Sequence, residues 1–355
     1  MTAASRGRDC PKVSVLMVTY NHEAYVAQAL DSILMQEADF DYEIIIGDDC
    51  STDNTREILI GYQAGYPDRI RLLLHERNLG YHGKGNFARV LAASRGHYAH
   101  ILEGDDYWTQ CDKLQRQVDF LDRHSDFVSC FHWSDWLDQE SGGMRPGWRI
   151  GPPIIKEYYT LDDLLEHGNF MQTASVMFRR NLFGDIPDWY FELFGGDFAL
   201  HILNAHHGKI GFLDEAMAVY RAHEEGTNTS RGLAKRCRDI LQLYGIVGIR
   251  LNLRSRESYR IGVSKFHSML SAASWADGHR AGALAAGVKA LGIAPLERKF
   301  RIGLRILIAF TPTSYRFPSV LRHFMIIVDE QGLGALLGKA YSKAKRRAFR
   351  IRSHV

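Results

Sequence analysis

Tyr98-Ala99-His100-Ile101-Leu102-Glu103-Gly104-Asp105-Asp106 runs from a mostly apolar stretch into three carboxylates within four residues. Like charges this close repel one another unless something positive lies between them. At the end of a buried strand a hard divalent cation is the natural neutraliser, because it takes oxygen ligands and keeps water or substrate phosphates in its shell. A solvated acidic turn would show the same residues, so the surrounding chain decides between them. Three apolar runs precede this one. Val13 to Thr19 is nearly continuous, as expected of a strand buried on both faces of a parallel sheet, and it ends at Thr19-Tyr20-Asn21-His22. Glu43 to Gly47 ends at Asp48-Asp49, and Ile70 to Leu74 precedes a polar, glycine-rich segment from Asn78 to Asn86.

Helical patterns separate the runs. Val26, Leu30, Ile33 and Leu34 recur at helical spacing. Ser51, Thr52, Asp53 and Asn54 are all N-cap residues for a helix through Gly61, and Phe87, Val90 and Leu91 form a helical face expected to stop with Gly96 at C′. Strand and helix in strict alternation predict a doubly wound α/β fold with a mostly parallel sheet flanked by helices. Ligands bind such sheets at the carboxyl ends of the strands. The first, second and fourth runs all end there in polar or acidic residues.

The second half is less regular. Leu114, Val118 and Leu121 mark a helix, Thr160 to Asp163 has the form of a capping box, and that short helix closes at Gly168. Thr173 to Phe178 reads as a strand, Asp197 to His207 as a helix ending at Gly208, and Ile210 to Leu213 and Met217 to Arg221 as two short strands. Beyond Leu233 the pattern is helical, with Ala273 to Pro295 a helix-turn-helix about Gly278. Arg298 to Phe310 and Lys339 to Ile351 mix basic and apolar residues, the pattern of helices that lie on anionic membranes. The expected organisation is a disordered N-terminus (1–11), a catalytic domain (12–232) with a nucleotide-binding half (12–110) and an acceptor half (111–232), and an α-helical C-terminal region (233–355) with a basic amphipathic tail.

Composition narrows the class. With 46% hydrophobic and 24% charged residues the chain can bury a substantial core, and a net charge of +3 gives no argument for nucleic acid. Five scattered cysteines without a C-x-x-C pair speak against a disulfide framework and a structural zinc site. Met1 to Lys12 lacks the apolar h-region of a signal peptide, and Ile302 to Phe310, broken by Arg305, is too short to span a bilayer. A cytoplasmic protein, peripheral at the inner face of the membrane, is expected.

Taken as an ordered set, Val13 to Asn21, Tyr25 to Ile33 with Gln36, Glu43 to Thr55 (EIIIGDDCSTDNT), Asn78-Leu79-Gly80, Asn86, Ala93 with Gly96, and Glu103-Gly104-Asp105-Asp106 resemble glycosyltransferase family 2, the inverting transferases of GT-A fold, in its bacterial surface-polysaccharide type. The resemblance covers roughly residues 12–230. It implies metal-dependent transfer from a UDP-, GDP- or dTDP-sugar to a glycan or lipid-linked acceptor. It places Thr19, Tyr20 and Asn21 on the nucleotide and Asp49 on the base, with Asp48 supporting that loop. Asp105 and Asp106 would hold Mn²⁺ or Mg²⁺ against the diphosphate. Glu103 stands where the family commonly has Asp and would turn to the ribose or to water held by the metal. Asp197 would be the general base, with Gly196 where the family has an acid and Glu192 a weaker candidate. In Tyr220-Arg221-Ala222-His223, His223 would complete the metal's coordination and Arg221 would face the diphosphate. Lys84, in a glycine-rich segment without Walker A spacing, reads as a phosphate contact.

The chemistry asks for these residue types without any family. Displacing a nucleoside diphosphate from an anomeric carbon builds charge on phosphate, which a divalent cation stabilises. The incoming hydroxyl needs a carboxylate to take its proton, an effect of roughly 10²–10⁴-fold. One base and one displacement invert the anomeric carbon, whereas retention by double displacement needs a second carboxylate as nucleophile. Two rivals remain on sequence. A sugar-nucleotide nucleotidyltransferase would want a glycine-rich N-terminal loop with Arg and Lys, which Thr19 to His22 does not offer. A non-catalytic nucleotide-binding module is suggested by Glu103 and Gly196.

Overall fold

The computed structural model describes residues 10–224, 226, 231–296, 298–299, 302–303, 306 and 310. They form two compact units, one of residues up to Arg231 together with Gly245–Asn252, the other of Gly232–Tyr244 and the residues from Leu253 onward.

The first unit is built on a nine-stranded sheet flanked by helices. Strands β1 (Val13–Thr19), β2 (Tyr42–Asp48), β3 (Ile70–Leu74) and β4 (Tyr98–Glu103) lie in the order β3-β2-β1-β4, all parallel. The apolar runs form strands because both sheet faces are covered. Val15, Met17, Ile44 and Ile46 are fully buried, each removal from water contributing about 1.5–3 kcal/mol. Register brings the functional ends of the strands together. Thr19 pairs with Asp48, and Val18 with Glu103, so the polar ends of β1, β2 and β4 finish abreast.

Helices α1 (Val26–Leu34), α2 (Thr55–Gly65) and α3 (Lys84–Ala93) make the crossovers. The last differs from its sequence reading. It starts at Lys84 and stops at Ala93, where Ser94 turns extended and donates its hydroxyl to Leu91 O at 2.6 Å. Gly96 is no helix cap; a Cβ there would fall 2.5 Å from the Ser14 nitrogen, so glycine lets the chain pass against β1.

Beyond β4 come β5 (Tyr107–Trp108), α4 (Lys113–Arg123), β6 (Phe127–Asp138), β7 (Gly143–Ile150), α5 (Leu161–His167), β8 (Met177–Arg179), α6 (Asp197–Ala205) and β9 (Lys209–Ala222). They extend the sheet as β4-β8-β6-β9-β5, with β7 beside β6. Here the sheet is mixed: β8 runs antiparallel to β4 and β6, while β6 and β9 are parallel. Three expectations change. The two short strands after Gly208 are the single strand β9, whose register against β6 shifts near Trp133. The strand expected from Thr173 begins only at Met177, because Gln172 accepts a bond from Ala174 N and turns 173–175 into a 3₁₀ helix. Strands β6 and β7 were not expected, since polar residues interrupt both stretches. The capping box is present, with Thr160 N and Oγ1 both donating to Asp163 Oδ2 at 3.0 Å and Gly168 closing the helix at φ 84°.

In the second unit, residues of α7 (Leu233–Arg250) up to Tyr244 join α8 (Glu257–Ala276) and α9 (Arg280–Ile293). The last two form the expected hairpin, turning at Gly278 (φ 82°). Small residues let them approach closely, and Ser264 and Ser271 donate across to the carbonyls of Ala290 and Ala283 at 2.6 and 2.7 Å. Among the described residues no helix is long and apolar enough to cross a membrane. The basic stretch Lys339 to Ile351, most of Arg298 to Phe310, and residues 1–9 of the expected disordered N-terminus lie outside the described residues.

Candidate active site

A cleft of about 560 Å³ opens at the carboxyl ends of β1 and β4, within the first unit. Thr19, Tyr20, Asp49, Lys84, Glu103, Asp105 and Asp197 line it together, drawn from well-separated places in the chain.

The β2 end is held by backbone bonds. Asp49 N donates to Thr19 O at 3.0 Å, Leu79 N donates to Asp49 Oδ1 at 2.7 Å, and Asn78 Nδ2 donates to Asp49 O at 3.1 Å. Among the described residues Oδ2 of Asp49 takes no side-chain or backbone donor, and burial pushes its carboxyl above the usual carboxylate range. Asp48 points the other way. It is fully buried, and its Oδ2 takes the Arg56 Nε at 2.6 Å and the Ser51 amide at 3.2 Å. Asn21 (φ 56°) accepts from Thr52 N at 2.8 Å and so ties the β1 loop to the β2 loop. Both thus brace the loops at this end of the sheet. Left-handed backbone recurs at Cys50 (φ 66°), so two non-glycine residues carry it beside this end of the sheet, as is common where a site is held in a set shape.

Gly104 lets the β4 turn close on β1: its nitrogen donates to Val18 O at 3.0 Å, and a Cβ would meet Thr19 Oγ1 at 3.0 Å and His22 Nδ1 at 2.8 Å. The turn then sends neighbouring carboxylates in opposite directions. Asp105 faces the cleft, with Oδ2 3.0 Å from His223 Nε2 and 3.9 Å from His22 Nε2. Burial would raise its carboxyl, but the His223 hydrogen bond and the charges of His22 and His223 hold it below the usual range. Asp106 turns into the fold, only 1% exposed, where Oδ1 accepts from the Arg221 amide at 2.9 Å and Oδ2 from Gln172 Nε2 at 3.2 Å. Burial, then Asp105 and Glu103, push it well up. The guanidinium of Arg221 is equally engaged, with Asp105 O at 2.8 Å and with Gln139 and Gln28 at 2.6 Å each, between the rings of Tyr25 and Tyr107. Asp106 and Arg221, expected on metal and diphosphate, therefore brace the turn that presents Asp105. Glu103 stays at the cleft, its carboxyl pushed up to about 8 by burial, then by Asp105 and Asp197.

The donor set suits a hard cation. Asp105 Oδ1, Thr19 Oγ1 and His223 Nδ1 are buried and have no hydrogen-bond partner among the described residues. No group of three or more His, Cys, Asp or Glu forms a ready-made cage among those residues. Mg²⁺ or Mn²⁺ fits such a site, since these ions take one or two protein ligands and complete their shell with water and phosphate oxygens.

Opposite lies Asp197, the first residue of α6, where a carboxylate also meets the helix dipole favourably. Asn169 Nδ2 donates to its Oδ2 at 2.7 Å, and burial raises its carboxyl. Lys84 bonds the Leu193 carbonyl, and burial lowers its ammonium to about 8. Three residues at the site have no role in the sequence reading: His22, Asn169 and Tyr190. Only His22, next to Asn21 at a strand end, stands where a local pattern would have found it.

A family model described as Glycosyl transferase family 2 matches residues 14–186. The chain is 40% identical over 221 residues to an uncharacterized protein of Mycobacterium tuberculosis H37Rv, the match covering 60% of each chain. The chain thus spans about 60% of the length of the curated relatives it matches there. It is 31% identical over 231 residues to an uncharacterized glycosyltransferase of Nostoc sp. PCC 7120, covering 63% of this chain and 68% of that one. Among solved structures it resembles a mannosyltransferase of Pyrobaculum calidifontis in complex with GDP-Man and Mn²⁺, at TM-score 0.53 and 17% identity over 92% of this chain and 88% of that one, a likeness of fold.

Proposed function

Because this chain belongs to glycosyl transferase family 2, we propose that it moves a sugar from a nucleotide-sugar donor to a hydroxyl of a glycan or lipid-linked saccharide, with inversion, in polysaccharide assembly. The observation that carries this reading is that Asp49, Asp105 and Asp197 line one cleft, one carboxylate for each part of the reaction.

Asp49 Oδ2 accepts the ring N–H of a pyrimidine or guanine base, and Tyr20, 45% exposed at the same cleft, packs on it. Asp105 and His223 hold the divalent ion, which when bound supplies a positive charge to the departing diphosphate. Asp197 takes the proton. The acceptor oxygen attacks the anomeric carbon as its hydrogen passes to Asp197, and the carbon–oxygen bond to the diphosphate breaks on the opposite face. Burial makes Asp197 a stronger base than an exposed carboxylate, and its bond from Asn169 keeps it aimed. The run of Lys343, Lys345, Arg346, Arg347, Arg350 and Arg352 supports an anionic membrane as the place where a lipid-linked acceptor is met.

Asp197→Asn tests the assignment, since it keeps the shape and removes the base. Transfer should fall by about 10²–10⁴-fold, while thermal shift with Mn²⁺ still reports nucleotide binding. Undiminished product would remove Asp197 from the base role, and a product with the donor's anomeric configuration would remove inversion.

A further inference from the structure

Tyr190 enters the cleft beside Asp197, from the short 3₁₀ helix Asp188–Glu192. Its side chain is only 2% exposed, yet it lines the cleft wall with Lys84 and Gly196. The position exists because residue 196 is glycine. A Cβ there would stand 2.0 Å from Tyr190 Oη and 2.7 Å from Cζ. The backbone at Gly196 (φ −122°) suits any residue, so glycine is demanded by volume and not by conformation. The phenol thus fills the side-chain space immediately before the proposed base.

The ring is pinned by Phe191, edge-on at 5.7 Å, and by the Lys84 ammonium 6.0 Å from its centre. Burial and the neighbouring Asp197 push the phenol far up, so it is a neutral O–H donor. Buried tyrosine hydroxyls ordinarily find a partner. Among the described residues this one has none, although it reaches the cleft.

We infer that Tyr190 Oη hydrogen-bonds a hydroxyl of the sugar carried by the donor, which makes Tyr190 a specificity-determining residue for that sugar. The inference rests on the reading of the cleft as a nucleotide-sugar site. It assigns Tyr190 to the sugar and not to the nucleotide, so the two are separable by experiment. Tyr190→Phe keeps the ring and removes only the hydroxyl. Titration calorimetry with Mn²⁺ would compare UDP with UDP-glucose and UDP-N-acetylglucosamine, GDP with GDP-mannose, and dTDP with dTDP-rhamnose.

Wild type and variant should bind each nucleoside diphosphate equally. The extra affinity that the sugar confers on its best donor should drop about 5- to 20-fold in the variant, the range of one neutral hydrogen bond with a partner left unmade. Gly196→Ala, which drives the phenol out of place, should show the same loss without touching the hydroxyl. Sugar nucleotides bound as tightly by Tyr190→Phe as by wild type would overturn the inference, as would a wild type for which no sugar adds affinity. A wild type that binds none of the nucleotides would instead remove the donor-site reading, and the inference with it.

Discussion

Asn169 fixes one carboxylate oxygen of Asp197. Its Oδ1 accepts from Met171 N at 3.2 Å, which orients the amide, and its Nδ2 then donates to Asp197 Oδ2 at 2.7 Å. One carboxylate oxygen is thereby fixed, and the backbone amide of Phe198 bonds the same carboxylate. Misaiming a base costs rate without costing ground-state binding. Asn169→Ala should therefore lower kcat about tenfold or more and leave donor affinity unchanged, as steady-state kinetics beside calorimetry would show. An unchanged kcat would make the bond merely structural. Asn169 follows a glycine cap in an irregular loop, and no spacing or charge pattern distinguishes it from any other loop asparagine. Asp197 is singled out only by the resemblance of its segment to the family's motif at a helix start.

At the scale of elements, one carboxylate joins three segments. Glu43 on β2 accepts from Ser14 Oγ of β1 at 2.7 Å and from the amide and guanidinium of Arg95, just before β4, at 2.8 to 3.1 Å. Burial would raise its carboxyl, but the bonds from Ser14 and Arg95 outweigh it and hold the group below the usual glutamate range. A depressed folded-state value means that the unfolded chain binds the proton first as pH falls. The stabilisation is thus complete above the ordinary glutamate pKa and is lost as pH drops through the lower folded value. Glu43→Gln should lose stability at pH 7, measured by urea unfolding, and the gap to wild type should narrow below about pH 4. A gap independent of pH would show that charge is not what Glu43 contributes. The helix of 161–167 offers a second test. Thr160→Ala removes one arm of its capping box and should cost about 1 kcal/mol, whereas an unshifted urea midpoint would mean the loop is held by other contacts. The parallel strands were legible because burial on both faces demands continuous apolar residues. Strand β6 was not, because its buried face includes His132 and Ser134, which the tertiary structure alone shelters.

For the whole molecule, the described residues that line the cleft all belong to the first unit. Donor and Mn²⁺ should therefore slow hydrogen exchange at the ends of β1 and β4 and across residues 78–84, and leave 257–293 unchanged. Protection spreading through α8 and α9 would show that the helical unit takes part in binding. The order of apolar runs, the crossover helices and the acids at the strand ends were determined by the sequence itself. Periodicity and local capping are short-range properties, and parallel register follows once each run is buried on both faces. Which acid faces the cleft was decided only in three dimensions. Asp105 and Asp106 are adjacent and chemically alike, so nothing local separates them. The backbone amide of Arg221, 115 residues further along, claims Asp106 and leaves Asp105 to His223 and the cleft. Long-range contacts of this kind depend on how distant segments meet, and that geometry is a property of the folded chain.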